Sequence, residues 1–140
     1  IRRICPRSRL VGIDLLPVEP IDGVDILQMD FMDEAAPTRL AEALGAPADL
    51  VLSDMAANTV GHARTDHLRT MALVEAAAAF AADVLRPGGG FVAKVLAGGA
   101  DAALVAELKR QFASVRHAKP PASRKDSSEW YVVASGFRAR

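Results

Sequence analysis

Residues 49–61, DLVLSDMAANTVG, place the strongest constraint on what this chain can fold into. A short apolar run delivers one aspartate, Asp54, to its end and then breaks into a polar loop. A strand buried on both faces of a parallel sheet reads as a continuous apolar run, and ligands gather beyond the carboxyl ends of such strands. Asp54 is therefore expected at the rim of a cleft. Two further runs share this design: FVAKVL, residues 91–96, holds Lys94 among apolar neighbours, and EWYVVAS, residues 129–135, opens on Glu129.

Taken in order, residues 10–14 and 24–29 read as strands separated by LLPVEPIDG, with its two prolines. Pro37 can open a helix that runs to Leu44, with Gly45 in the left-handed position after it. The strand at 50–53 follows. From 66 to 85 alanine dominates, with Leu68, Met71, Val74, Ala78, Ala82 and Leu85 at helical spacing, and PGGG at 87–90 reads as a turn. Strand 91–96 leads to a helix from Asp101, a plausible N-cap, to Phe112, then a short strand at 114–117. Residues 118–128 read as a loop before the last strand, 130–135. This alternation implies an α/β fold around a largely parallel sheet, with no internal repeat and no linker, hence a single domain over residues 1–140.

Composition narrows the function less. Basic and acidic residues are 17 each, so only a local patch can favour a polyanion. No run approaches the roughly 18 apolar residues of a membrane helix, and a soluble, membrane-free protein is expected. The N-terminus lacks the pattern of a secretory signal, and the single cysteine, Cys5, fits a reducing compartment.

Individual residues carry competing readings. Asp14 ends a strand, where an acid can accept from ribose hydroxyls or simply cap a turn. Asp30 and Phe31 repeat the arrangement: an acceptor for an amino group beside a ring, or a surface aspartate and a core phenylalanine. Lys94 either snorkels from an edge strand or is held by carboxylates such as Asp54 and Glu129, if the three strands are neighbours. Arg116, Lys119, Arg124 and Lys125 give residues 116–125 a charge of +4, read as a solvated loop or as a phosphate-contact surface. Trp130 and Tyr131 read as core or cleft wall. The three histidines and Cys5 lack metal-ligand spacing, and no metal is expected.

Together the blocks VGIDLLPVEPIDGVDILQMDF, LSDMAANTVG, VLRPGGGFVAKV and KPPASRKDSSEWYVVA, in this order, resemble the FtsJ-type ribosomal RNA large-subunit 2'-O-methyltransferases over nearly the whole chain. The resemblance implies a Rossmann-like S-adenosylmethionine-dependent methyltransferase fold, mostly parallel with the last strand antiparallel. It casts Asp54, Lys94 and Glu129 as members of the family's Lys-Asp-Lys-Glu tetrad. Asp14, Asp30, Phe31 and Asp54 would be cofactor-binding. Arg116, Lys119, Arg124, Lys125 and Asn58 would face RNA.

The implied activity is methylation of a ribose 2'-hydroxyl, that of a uridine, in large-subunit ribosomal RNA. The expected setting is the assembled large subunit, with a cytoplasmic monomer as the enzyme. A non-catalytic RNA-binding protein on the same fold is the alternative, and a dehydrogenase would leave Lys94 and the basic segment without a role. The chain departs from the family pattern at Ala57, where proline is common. The segment with the first tetrad lysine, and the glycine-rich cofactor loop with its strand, would precede Leu10. The family topology puts that strand between those ending at Asp14 and Asp54. The expectation is thus a truncated N-terminus, a partner that supplies the strand, or residues upstream of Ile1.

Overall fold

The computed structural model describes residues 8–55, 63–95, 102–119 and 130–138. They form two compact units, Ile1–Pro47 and Ala48–Arg140.

In the first unit, β1 (Leu10–Asp14) and β2 (Val24–Gln28) pair in parallel, Leu10 opposite Val24 and Asp14 opposite Gln28. The connection turns into β2 at Gly23, whose φ of 77° suits glycine, and the Val24 amide donates to the Ile21 carbonyl. Helix α1 (Ala36–Leu44) starts with a proline in its first turn and ends on Gly45 at φ 74°, whose N–H donates to the Ala41 carbonyl. Both were legible signals. Arg9 was not: its guanidinium donates to the Ala43 carbonyl at the end of α1 and to Asp25 on β2, each within 2.9 Å. A cation on the last carbonyls of a helix completes bonds the helix cannot make itself.

The second unit is a four-stranded sheet in the order β3 (Ala48–Ser53), β4 (Leu85–Val95), β6 (Trp130–Phe137), β5 (Phe112–Ala118). β3 and β4 are parallel, joined by α2 (Ala63–Val84); β6 runs antiparallel to both β4 and β5. The sheet is thus parallel except for its last strand, as expected.

One face of the sheet is packed. Phe91, Ala93, Val95, Val132 and Ala134 are buried on it, with Met71, Val74, Ala77, Ala78, Ala81 and Ala82 buried on α2 and Leu104 and Leu108 on α3 (Ala102–Gln111). The small alanine side chains allow a helix to lie close to a sheet, which is what an alanine run with period 3.6 encodes. Phe112 and Phe137 close the far end with rings 5.3 Å apart and tilted at 56°.

Several expectations are corrected. Leu68 is 59% exposed and so is not part of the buried stripe of α2, which includes Thr70, Met71 and Val74. Residues 87–90 lie inside β4 instead of forming a separate turn: Leu85 pairs with Ala48 and Gly90 with Leu50, so residues 86–89 bulge opposite Asp49. Gly88, at φ 87°, makes the bend. Gly89 passes so near that a Cβ would stand 3.0 Å from the Arg86 carbonyl oxygen and 3.1 Å from that of Asp49. The Arg86 guanidinium bonds the Asp49 carboxylate across the same bulge. Phe112 begins β5 and does not end a helix.

Candidate active site

Strand register builds the site. Lys94 on β4 is directly opposite Tyr131 on β6, and Ser53, the last residue of β3, is opposite Ala93. Asp54 follows Ser53, which brings it level with Lys94. Paired residues share a face of a sheet. Three neighbouring strands therefore present Asp54, Lys94 and Tyr131 together.

Their side chains meet. The Lys94 Nζ lies 3.0 Å from Asp54 Oδ1, and the Tyr131 hydroxyl donates to the same oxygen at 3.3 Å. Lys94 is nearly enclosed, with its side chain 15% exposed, whereas that of Asp54 is 73% exposed. The neighbourhood of strands 50–53, 91–96 and 130–135, on which the reading of Lys94 depended, is thus real: the ammonium is not snorkelling but held by a carboxylate at the carboxyl end of β3. Such an arrangement fixes an amine beside an exposed acceptor, the geometry a proton-transfer site needs. Tyr131 was missed. The sequence shows it next to Trp130 in an apolar run, and only the register reveals that it faces Lys94.

Asp14 is the last residue of β1 and Asp30 stands two residues past the end of β2, and the Met29 amide donates to the Asp14 carbonyl across them. Each aspartate also makes a local turn: Asp14 Oδ1 accepts from the Leu16 amide at 3.0 Å, and Asp30 Oδ1 from the Met32 amide at 2.9 Å. The turn-capping reading of Asp14 is therefore met. It leaves a carboxylate with further acceptor capacity pointing outward. Around them Leu15, Leu16, Ile21 and Met32 are each more than half exposed, and Phe31 is half-buried. Acceptors set in exposed apolar surface are the groups that would suit a ribosyl group and an aromatic base.

The basic segment is corrected in one respect. Arg116 is part of β5 and is exposed, opposite Val133, which is opposite Val92; it thus lies on the Lys94 face of the sheet. Lys119 lies just past β5 with its Nζ 5.8 Å from the Trp130 ring centroid, a cation–π contact. Trp130 is 36% exposed, so it is not a core residue. Asn58, Arg124, Lys125 and Glu129 fall outside the described residues, as do Cys5 and Ala57. Among the described residues no group of His, Cys, Asp and Glu side chains could hold a metal ion, and no helix is long and apolar enough to cross a membrane.

The chain is 74% identical over its full length to ribosomal RNA large subunit methyltransferase E of Rhizorhabdus wittichii and 65% identical to that of Novosphingobium aromaticivorans. It spans 61% and 63% of those two proteins. A crystal structure assigned as a ribosomal RNA methyltransferase from Plasmodium falciparum superposes with a TM-score of 0.80 at 27% identity, over 94% of this chain and 74% of that one. A methyltransferase of Streptococcus mutans solved in complex with SAH is similar in fold alone, at 11% identity, TM-score 0.52, and 92% and 72% coverage. The family model for FtsJ-like methyltransferases matches residues 2–137, and the chain belongs to that family.

Proposed function

We propose that this chain methylates a ribose 2'-hydroxyl, that of a uridine, in large-subunit ribosomal RNA, with S-adenosylmethionine as methyl donor. The observation that carries the reading is the ion pair of Lys94 with Asp54 at the carboxyl end of β3, next to Tyr131. The 74% identity to a large-subunit ribosomal RNA methyltransferase supports the substrate class. The family match over residues 2–137 supports treating both units as one methyltransferase domain.

A sugar hydroxyl is a weak nucleophile near neutral pH, so its proton must be taken as the oxygen attacks. Lys94 is the base in this reading. Paired to Asp54, it rests as an ammonium and must first lose that proton, so transfer should speed up as pH rises through the Lys94 ionisation. Asp54 orients the amine, and its exposed carboxylate can accept from the incoming hydroxyl. Glu129 would help to position Lys94. S-adenosylmethionine supplies an electrophilic methyl on a sulfonium, which Asp14, Asp30, Phe31 and Asp54 would hold by its ribose and base. Alignment of methyl and oxygen would provide much of the remaining acceleration. Arg116 and Lys119, with Arg124, Lys125 and Asn58, would bind the RNA backbone, and a target hydroxyl that DNA lacks makes the site selective for RNA.

Cytoplasmic action on the assembled large subunit, by a monomer, completes the proposal. The test is transfer of labelled methyl from S-adenosylmethionine to isolated large subunits and to naked ribosomal RNA, using the full-length gene product. Digestion to nucleosides identifies the methylated position. A 2'-O-methylated uridine, formed on subunits and lost with Lys94→Ala, is expected; a folded protein that binds no S-adenosylmethionine would sink the reading. Equal activity on naked RNA would remove the particle from it.

A further inference from the structure

Two donors converge on one oxygen at the site: Lys94 Nζ at 3.0 Å and the Tyr131 hydroxyl at 3.3 Å both reach Asp54 Oδ1. Asp54 follows the last residue of β3, and its side chain is 73% exposed, so packing does little to fix its rotamer. A carboxylate oxygen can accept both bonds, and the pair of donors gives it a direction. The two donors are not equivalent. Lys94 carries a charge that the carboxylate stabilises, whereas the tyrosine hydroxyl competes for the same electron density and weakens that hold.

We infer that Tyr131 is a positioning residue: its hydroxyl aims the Asp54 carboxylate and moderates its pull on Lys94, setting the pH above which Lys94 is free of its proton. The inference rests on the reading of Lys94 as the base. Among the described residues the titratable or charged groups on this face are Asp54 from the end of β3, Tyr131 from β6 and, farther along, Arg116 from β5. Glu129 lies outside the described residues. Removal of the hydroxyl leaves Asp54 more negative towards the ammonium, so Lys94 keeps its proton to higher pH. The sign is definite: the alkaline-rising limb of the rate profile moves up, and the variant rejoins the parent at high pH.

The test is the pH profile of single-turnover methyl transfer to large ribosomal subunits for the full-length parent, Tyr131→Phe and Lys94→Ala. Calorimetric binding of S-adenosylmethionine serves as the check on folding. With Tyr131→Phe a shift of about half a pH unit is expected, which is about a threefold loss below the limb, since each pH unit is tenfold in the deprotonated fraction. Replacing Tyr131 with 4-aminophenylalanine, a weaker donor of the same shape that stays neutral over the limb, should move the limb up by less than phenylalanine does, and it provides the readout if the phenylalanine variant folds poorly. A rate lowered equally at all pH values, or a profile that superposes on the parent, overturns the inference while an inactive Lys94→Ala leaves the base intact. An active Lys94→Ala overturns the catalytic reading itself, and Tyr131 with it.

Discussion

No residue of β1 or β2 is fully buried, whereas Phe91, Ala93, Val95 and Val132 in the four-stranded sheet have no exposure at all. Both regions read as apolar strands, but α2 and α3 cover a face of the four-stranded sheet, whereas β1 has only the short helix α1 against it within its unit. Residues 8–47 also carry polar clasps. Arg9 ties the ends of β2 and α1, and Asp14, Asp30 and Asp33 each bond an amide two residues on. Its buried side chains are Ala36 and Leu40. The lesson is that two stretches with the same sequence pattern can differ in stability by what packs on them.

That difference can be broken by substitution. The largest effect belongs to chemistry: Lys94→Ala should lower methyl transfer by about 10²–10⁴-fold, the usual span for losing a general base, with S-adenosylmethionine binding retained. Next is Phe91→Ala, which should cost about 3–5 kcal/mol in urea denaturation because it empties the covered face of β4. Ile26→Ala on half-buried β2 should cost nearer 1–2 kcal/mol, and equal losses at the two positions would erase the contrast between the regions. Gly136→Ala should cost about 1–3 kcal/mol, since Gly136 is at φ 73° and a Cβ there would stand 2.8 Å from the Ala113 Cβ. Smallest is Arg86→Ala, which removes an exposed pair with Asp49 and should stay below about 1 kcal/mol and shrink with salt. Amide exchange would sharpen the comparison at single-residue level, with β1 and β2 exchanging before β4 and β6.

Much of this architecture was legible in the residues, and the reasons differ by place. Apolar runs bounded by Pro, Gly and Asp located β1, β2 and the central part of β3, and Gly45 marked the end of α1 because a left-handed cap needs no side chain. The glycines at 88–90 misled: a turn signal and a bulge need the same backbone freedom, and only the pairing of Leu85 with Ala48 separates the two. The charge-bearing strands were found from composition alone, but their adjacency was conditional, because order within a sheet is set by long-range pairing. Tyr131 and Arg9 were invisible for that reason. Each acts on a partner far away in sequence, Asp54 and Ala43, and nothing local distinguishes it from an ordinary wall or surface residue.

The turns made by Asp14 and Asp30 bear on any attempt to alter the proposed cofactor site. In both, Oδ1 is committed to a backbone N–H two residues on, so the local loop decides which end of the carboxylate looks outward. Asparagine would keep its amide oxygen on that backbone bond and turn its NH₂ outward. A ligand hydroxyl or amino group that arrives expecting an acceptor would then meet a donor. The substitution that changes shape least would invert the polarity of the contact, so at these two positions the isostere should be more hostile to binding than the small, silent alanine.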